Sequence, residues 1–290
     1  MKNEAPYVDI ERSIIKQFRK EIWRPFVRGL QEYRMIQDSD KVAVCISGGK
    51  DSMLLAKCLQ QLKRQSSTEF GLEFIVMDPG YHPDNRKLIE DNAALMNIPV
   101  RIFDSDIFDI VVDVDQSPCY LCARMRRGYL YAHARELGCN KIALGHHFDD
   151  AIETILMGIL YGGQMNTMMP KLHSTNFEGM ELIRPLYFVK EEDILNWKDY
   201  NGLHFLQCAC RFTEQAAKEQ AARGIAGNGA DIVHTSKRQE MKELIRSLRK
   251  ISPFIDANIM KSVENINLDA CLGYVQKGVR HHFMDKYDER

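Results

Sequence analysis

The first candidate for chemistry in the sequence is a six-residue loop of glycine, hydroxyl and charged residues, Ser47-Gly48-Gly49-Lys50-Asp51-Ser52. It follows an apolar run and opens a helical pattern, and a helix N-terminus offers an anion free N–H groups and a favourable dipole. The two glycines let the backbone approach a phosphate, while the serines add hydroxyl donors and the lysine adds charge. The order of residues fits neither a Walker A loop nor the G-x-G-x-x-G pattern. The loop therefore predicts phosphate binding, and a tight turn with an incidental lysine is the alternative.

A second candidate is an acidic segment that follows another apolar run, Gly145-His146-His147-Phe148-Asp149-Asp150. Paired carboxylates at the end of a strand suit Mg²⁺, which prefers oxygen ligands. The alternative is that Asp149 or Asp150 caps the following helix, and the two roles are compatible. Zinc binding by the two histidines is disfavoured, because adjacent residues on a turn rarely ligate one metal. We predict catalytic roles for both aspartates, and nucleotide contacts from three residues at strand ends, Asp78, Gly145 and His146.

Four of the eight cysteines form close pairs, Cys119-Tyr120-Leu121-Cys122 and Cys208-Ala209-Cys210. Such pairs can be redox-active, bind zinc or hold an iron–sulfur cluster. A structural zinc site with four thiolates is the main alternative to a cluster. Two neighbouring features argue against zinc, because a structural zinc site needs neither of them. The first cysteine pair directly precedes three arginines, and the acidic segment follows; the arginines are Arg124, Arg126 and Arg127. The other four cysteines are predicted to be small buried hydrophobic residues, namely Cys45, Cys58, Cys139 and Cys271.

The elements that position these motifs alternate between strand and helix. Apolar runs predict strands at 41–46, 72–77, 98–103 and 141–145. Helical patterns lie between these strands at 51–65, 84–96 and 124–137, and a further helix follows the fourth strand and runs through Leu160. This alternation predicts an α/β fold with a doubly wound parallel sheet. Ligands in such sheets bind beyond the carboxyl ends of the strands, and every motif above lies at such an end.

The two ends of the chain differ from this middle part. The N-terminal pattern predicts an amphipathic helix over 9–34, kinked near Pro25. After Leu160 the sequence indicates a loop at 161–179, a flexible connection at 223–231, a helix at 236–251 and a frayed tail at 279–290. We therefore divide the chain into an N-terminal helix (1–38), a nucleotide-binding catalytic domain (39–222) and a C-terminal helical extension (223–290).

The composition is that of a globular protein and excludes a disordered chain, since 45% of its 290 residues are hydrophobic and 27% are charged. The sequence has neither the apolar core of a signal peptide nor an apolar run long enough to span a bilayer, so we expect a soluble cytoplasmic protein without a membrane partner. Its net charge of −1 gives no global hint of a nucleic-acid partner. Two basic stretches, 10–34 and 237–250, are either RNA-binding surfaces or solvated helix faces.

Taken together, these motifs resemble the tRNA 2-thiocytidine synthetase family within the PP-loop ATP pyrophosphatases, whose phosphate loop has the pattern S-G-G-x-D-S. The resemblance extends over nearly the whole chain, and five segments carry it: 35–52, 118–154, 161–172, 183–194 and 251–266. It implies cleavage of ATP between its α- and β-phosphates, with AMP transferred to a cytidine of the tRNA anticodon loop. Sulfur then replaces the oxygen of that base.

The resemblance also implies cofactors and partners. These are ATP, Mg²⁺, tRNA, a sulfur donor such as a cysteine desulfurase, and a second copy of the chain in a homodimer. A [4Fe-4S] cluster is implied as well, held by three cysteines with its fourth iron open for sulfur. Cys119 and Cys122 match the first two ligands. Cys208 aligns best with the third, although the family has Pro-Cys-x-x-Cys there, so Cys210 is the alternative.

In the mechanism implied by this resemblance, the phosphates of ATP rest on Gly48, Gly49 and Ser52. Asp51 or Asp149 assists the pyrophosphate in holding Mg²⁺. Arg126 and Arg127 either neutralise the charge that develops or contact tRNA phosphates. Arg184 either holds a loop of the site or forms a structural ion pair.

Two other classes stay open. One is a PP-loop enzyme with a zinc site that acts on another base or small substrate, and the other is a nucleotide-binding module without catalysis.

Overall fold

The computed structural model describes residues 5–105, 107, 118–206 and 237–289, and for residues 118–123 it describes the backbone alone. The chain divides into two compact units, Met1–Asp150 with Met169–His234, and Ala151–Met168 with Thr235–Arg290. The elements of the first unit, in chain order, are α1 Pro6–Ile15, a π-helical turn Arg19–Trp23, α2 Arg24–Glu32, β1 Lys41–Ile46, α3 Lys50–Gln65, β2 Gly71–Asp78, α4 Pro83–Leu95, β3 Val100–Asp104, α5 Pro118–Glu136, β4 Lys141–Ala143, the start of α6 Phe148–Gly162, β5 Lys171–His173, β6 Glu181–Ile183 and α7 Glu191–Tyr200.

A six-stranded sheet with the order β3-β2-β1-β4-β6-β5 forms the centre of the first unit. All pairs are parallel except β5 with β6, which confirms the predicted doubly wound α/β fold. Strand β1 pairs with β2 on one side and β4 on the other, so the chain reverses its direction of winding there. Ligands of open parallel sheets bind at this point. The sequence did not predict β5 and β6, because strands of three residues are too short to show a periodic pattern.

The core explains why these segments fold as they do. Strand β1 is buried along five of its six residues, as a central parallel strand covered on both faces should be. Helix α3 covers one face with Met53, Leu54, Leu55 and Leu59, all fully buried. Lys63 and Arg64 lie in its last turn, where cations interact favourably with the helix dipole.

The N-terminal region differs from the single kinked helix that the sequence predicts. Pro25 lies in the first turn of α2, which follows a π-helical turn directly. The irregularity comes before it, in a π-helical turn where the N–H of Trp23 donates to the carbonyl of Phe18 at 3.2 Å. This wider turn lets Ile22 and Phe26 join Ile14 in the core, each with no exposed surface.

The second unit contains the rest of α6, then α8 Lys237–Arg249, α9 Ile255–Glu264 and two 3₁₀ turns, Leu268–Ala270 and Phe283–Glu289. Between the turns, β7 Gly273–Gln276 and β8 Val279–His282 form an antiparallel hairpin. The prediction of a frayed tail from 279 onward is therefore wrong. Lys277 and Gly278 both have positive φ, which suits a two-residue hairpin turn. Both strands are largely exposed, and their sequences therefore lack the alternation of apolar and polar residues that predicts a strand. No helix among the described residues has the length and apolar character needed to span a bilayer.

The isolated cysteines are buried as predicted, with one exception. Burial raises the pKa of the Cys45 thiol to about 12 and that of Cys139 to about 11, and it raises the pKa of Cys58 further still. These thiols stay protonated and are poor metal ligands. Cys271 is only partly buried, so the prediction for this residue is wrong.

Candidate active site

The phosphate loop lies between β1 and α3, where its glycines and serines fix its shape. Gly48 has a φ of +83°, and a Cβ at this position would lie 2.6 Å from Cγ1 of Ile89. Any other residue would therefore be both strained and in collision. The Ser52 hydroxyl accepts the N–H of Ser47 at 3.2 Å and donates to the carbonyl of Gly49 at 2.9 Å. The loop is thus closed on itself at the helix N-terminus.

The acidic segment reaches this loop through a glycine. A Cβ on Gly145 would lie 3.0 Å from the carbonyl carbon of Asp51 and 3.0 Å from the nitrogen of Ser52. The segment after β4 therefore packs backbone to backbone against the first turn of α3. This contact joins two motifs that are almost a hundred residues apart in the sequence.

The two aspartates of the acidic segment act as caps. Asp150 Oδ2 accepts the backbone N–H of His147 at 3.0 Å, directly before α6. Asp149 Oδ2 accepts the N–H of Glu191 at 2.7 Å, at the start of α7. Asp150 therefore caps the following helix, as the capping interpretation has it, whereas Asp149 caps a different helix, α7.

Asp51 and His147 carry polar atoms that the surrounding protein leaves unsatisfied. Asp51 Oδ1 and His147 Nδ1 are buried and take part in no hydrogen bond among the described residues, and the charge nearest to Asp51 Oδ1 is the ammonium group of Lys50 at 3.1 Å. His147 Nε2 lies 3.9 Å from Asp51 Oδ1 and 3.5 Å from Asp150 Oδ2. An unsatisfied buried carboxylate oxygen is costly unless a ligand completes it, so Asp51 fits a Mg²⁺ ligand. Within the described part of the chain no three His, Cys, Asp or Glu side chains are arranged to hold a metal, so a Mg²⁺ ion there would need oxygen atoms from a nucleotide.

A cavity of about 460 Å³ opens at the carboxyl ends of the central strands, a size typical of small-ligand sites. Eight of the predicted site residues line it: Ser47, Asp51, Ser52, Arg126, Arg127, Gly145, His146 and Asp150. Arg126 donates to the hydroxyl of Tyr81 at 3.1 Å, whereas Arg127 is exposed. Lys50 contacts Asp51 and Glu191 at the edge of the loop.

Asp78 lies at the end of β2, but its carboxylate contacts protein groups. One oxygen accepts the N–H groups of Gly80 and Tyr81 at 2.8 and 2.6 Å, and the other accepts from Arg86 at 3.0 Å. Asp78 therefore shapes the loop that brings Tyr81 to Arg126. Neither Tyr81 nor Glu191 belongs to a recognisable motif, so the sequence alone does not reveal these two residues of the site.

Arg184 is a buried cation without an ion pair among the described residues. Its guanidinium group donates to His146 Nδ1 at 3.4 Å and to the carbonyl of Met169. Its backbone N–H donates to the carbonyl of Pro170 at 2.9 Å. Burial and the charge of Arg127 lower its pKa to about 10. Of the two predicted roles, these contacts favour holding the loop at Met169 and Pro170.

The predicted cluster ligands lie partly or wholly outside the described residues. Cys119 and Cys122 lie in the first turns of α5, which begins at Pro118 and not, as predicted, at Arg124. Their side chains lie outside the description, as do Cys208 and Cys210 entirely.

Comparison with known proteins identifies relatives of this chain. A family model described as a PP-loop domain matches residues 14–211. The tRNA-cytidine(32) 2-sulfurtransferase of Coxiella burnetii is 35% identical over 258 residues, covering 87% of this chain and 91% of the relative. That of Alkalilimnicola ehrlichii is 33% identical over 258 residues, covering 87% and 75%. Among solved structures, the U34-tRNA thiolase NcsA from Methanococcus maripaludis with its [4Fe-4S] cluster superposes with a TM-score of 0.61 at 20% identity, covering 84% of this chain and 79% of that one, which supports the fold.

The contact at Gly145 yields a test of the junction between the two motifs. Gly145→Ala places a methyl group against two backbone atoms that cannot move independently, so the free energy of unfolding should fall by about 1–3 kcal/mol in urea titrations. Gly128→Ala is the matched control, because its Cβ would meet nothing within 4 Å inside α5. The control should gain up to about 1 kcal/mol from helix propensity. Equal stability of Gly145→Ala and the wild type would contradict the close contact.

Proposed function

Because the chain belongs to the tRNA-cytidine(32) 2-sulfurtransferases of the PP-loop family, we propose that it uses ATP to replace the oxygen of a tRNA cytidine with sulfur. Cytidine 32 of tRNA is the substrate in the names of its relatives. The catalytic part of the chain is residues 39–222, with the regions 1–38 and 223–290 as its helical additions. The protein acts in the cytoplasm as a homodimer and receives sulfur from a donor such as a cysteine desulfurase.

The observation that carries this proposal is the combination of a closed glycine loop, an unsatisfied Asp51 oxygen and a cavity at one sheet edge. The loop offers N–H groups at Gly48 and Gly49 to the phosphates, and Ser52 stiffens it. Asp78, Gly145 and His146 shape the nucleotide pocket. Mg²⁺, when bound, neutralises the pyrophosphate, and Asp51 is its protein ligand, with Asp149 and Asp150 holding the surrounding helices.

In the first chemical step, the cytidine oxygen attacks the α-phosphorus of ATP and the bond to the β-phosphate breaks. Pyrophosphate leaves and the base carries AMP on its oxygen. Arg126, fixed by Tyr81, lies at the cavity wall where it stabilises the charge that develops on the α-phosphate, and Arg127 assists it. A sulfide nucleophile then attacks the activated carbon, the bond between that carbon and its oxygen breaks, and AMP departs with the original oxygen.

We further propose that Cys119, Cys122 and Cys208 would hold a [4Fe-4S] cluster, which would supply an iron site for the incoming sulfur. The motif spacing supports this assignment. The raised pKa values of the buried Cys45, Cys58 and Cys139 support it too, because those thiols are unsuited to bind metal.

The tRNA surface is the N-terminal basic stretch. In the 237–250 stretch, three of the six basic side chains pair with acids of their own unit: Arg238 and Lys242 with Glu153, and Arg249 with Asp256. By contrast, four exposed cations on the N-terminal helices have no ion pair among the described residues: Lys16, Arg19, Lys20 and Arg24.

A groove of about 430 Å³ strengthens this assignment, because Arg19, Arg24 and Arg28 line it together. Arg28 lies over the ring of Phe188 at 4.3 Å. The next residue, Val189, accepts the N–H of Phe148 at 2.9 Å, at the start of the active-site helix α6. The basic groove is therefore connected to the site by consecutive contacts.

The nucleotide step predicts that Asp51→Asn loses AMP and pyrophosphate formation by a factor of about 100 or more, since the change removes a charge aimed at the metal. Ser52→Ala should show a similar loss. Chromatography of nucleotides measures both products. Asp91→Asn, an exposed aspartate on α4, is the control and should retain full activity. AMP formation at the wild-type rate in Asp51→Asn would rule out this nucleotide site.

The cluster ligation predicts that protein purified without oxygen contains about four irons per chain and absorbs in visible light. Cys208→Ala should lose both iron and thiolation, whereas Cys210→Ala and the control Cys271→Ala keep them. The reverse result would make Cys210 the third ligand. Stoichiometric zinc without iron, or loss of metal in both variants, would contradict three-thiolate ligation of a cluster.

The basic groove predicts that tRNA binding weakens steeply with salt, because phosphate contacts release counterions. Arg19→Ala/Arg24→Ala should lower the slope of log K against log salt by about 2 and weaken binding, as filter binding can measure. The control removes two other exposed cations, Arg246 in α8 and Lys250 directly after it, and this variant, Arg246→Ala/Lys250→Ala, should bind as the wild type does. A larger effect from the control would move the surface to α8. Absence of tRNA binding by the wild type would contradict the substrate class.

A further inference from the structure

The C-terminal hairpin, formed by β7 and β8, is exposed along almost its whole length. Every residue of β7 is exposed, and so is every residue of β8 except His281, which is half-buried. Val275 and Val279 are 69% and 58% exposed, although both are apolar. A two-stranded hairpin with no covered face is marginally stable in water. Packing among the described residues therefore does not account for the large apolar and aromatic side chains on this hairpin.

Two stacked rings lie across the strands of the C-terminal hairpin. Tyr274 and His281 are directly opposite each other in the register, and their ring centroids are 4.7 Å apart at an interplanar angle of 19°. This pair stabilises the hairpin, and Tyr274 is still 37% exposed. Two further rings, those of His282 and Phe283, lie 4.8 Å apart at the end of β8. A nucleic-acid base can extend such a stack, because every base has a π-face.

The charged side chains of the C-terminal hairpin are positive. The segment 273–284 contains Lys277 and Arg280 but no acidic residue. Both cations are exposed and have no ion pair among the described residues. The next carboxylate along the chain, that of Asp285, accepts the backbone N–H of His282 at 2.7 Å. Unpaired cations beside exposed aromatic rings fit the phosphates and bases of a single-stranded nucleic acid.

A second copy of the chain fits this surface less well than RNA does. Exposed apolar side chains and unpaired strand edges can favour association of identical chains. Two hairpins brought together here would place Lys277 and Arg280 of each copy near those of the other, and like charges repel. Charged side chains on an exposed edge, lysine above all, also protect a strand from edge-to-edge pairing. The charges therefore favour an anionic partner.

We propose that the C-terminal hairpin is a second RNA contact, in which Tyr274 stacks on an unpaired base of the tRNA while Lys277 and Arg280 contact neighbouring phosphates. The base must be unpaired, because the bases of a duplex are stacked on each other and offer no free face. The basic groove of the N-terminal helices attracts phosphates, whereas the hairpin adds a contact to a base. This inference rests on the proposed tRNA substrate.

The test is the dissociation constant of an unmodified tRNA transcript, measured by filter binding over a range of salt concentrations. Tyr274→Val keeps a strand-forming residue and removes the ring, and should raise this constant about tenfold. The slope of log K against log salt should not change, since a neutral ring releases no counterions. Tyr274→Phe keeps the ring and should bind tRNA as the wild type does. Phe254→Ala is the control, because it removes a ring of the same unit that is 67% exposed outside the hairpin.

The cations and a duplex probe separate RNA contact from a merely structural effect. Lys277→Ala/Arg280→Ala should lower the salt slope by about 1.4, because each phosphate contact on a single strand contributes about 0.7. Fully paired duplex RNA should bind equally well to the wild type and to Tyr274→Val, because its bases cannot stack on the ring.

Three results would contradict this assignment. Wild-type tRNA affinity in Tyr274→Val would overturn it, as would equal losses in Tyr274→Val and Tyr274→Phe. Light scattering that shows Tyr274→Val as a monomer and the wild type as a dimer, with unchanged tRNA affinity per chain, would assign the hairpin to a second copy. Failure of the wild type itself to bind tRNA would instead overturn the proposed function.

Discussion

The close contact between Gly145 and the first turn of α3 is the constraint on which the site depends. Two strands of a parallel sheet bring their carboxyl ends to one edge, but side chains normally keep the following backbones apart. Here a Cβ would lie 3.0 Å from two backbone atoms, so any other residue would require the two backbone segments to move apart. The phosphate loop and the acidic segment become a single surface as a result. The unsatisfied oxygen of Asp51 lies in that junction.

Some polar side chains around this junction bind other protein groups, whereas others face the cavity where a ligand would bind. Asp149 and Asp150 cap helices, and Asp78 binds loop N–H groups and Arg86. Arg184 holds a loop through carbonyl and imidazole acceptors. These groups satisfy buried donors that would otherwise be costly. The groups that line the cavity, above all Asp51 and Arg126, are thereby left in fixed positions for a substrate.

Charge on the molecule shows why a count of basic residues is a poor guide to nucleic-acid binding. Both basic stretches have an excess of cations in the sequence. In the 237–250 stretch, half of these cations neutralise acids, so they contribute less to the outward field. In the N-terminal stretch, Arg28 pairs with Glu32, but Arg19 and Arg24 have no ion pair among the described residues. Local pairing therefore decides where an RNA phosphate is attracted, and the net charge of −1 does not.

The sequence by itself determined the features that depend on local order. Alternating apolar runs predicted the parallel sheet, and the glycines and serines of the phosphate loop predicted its place between β1 and α3. The short strands β5 and β6 were not predicted, because three residues are too few to show a periodic pattern. The π-helical turn before Pro25 was not predicted either, because it has no sequence signature. Only the tertiary structure decided which partner each polar group has. Glu191 meets Lys50 across 141 residues, and such contacts arise from packing, which no local pattern encodes.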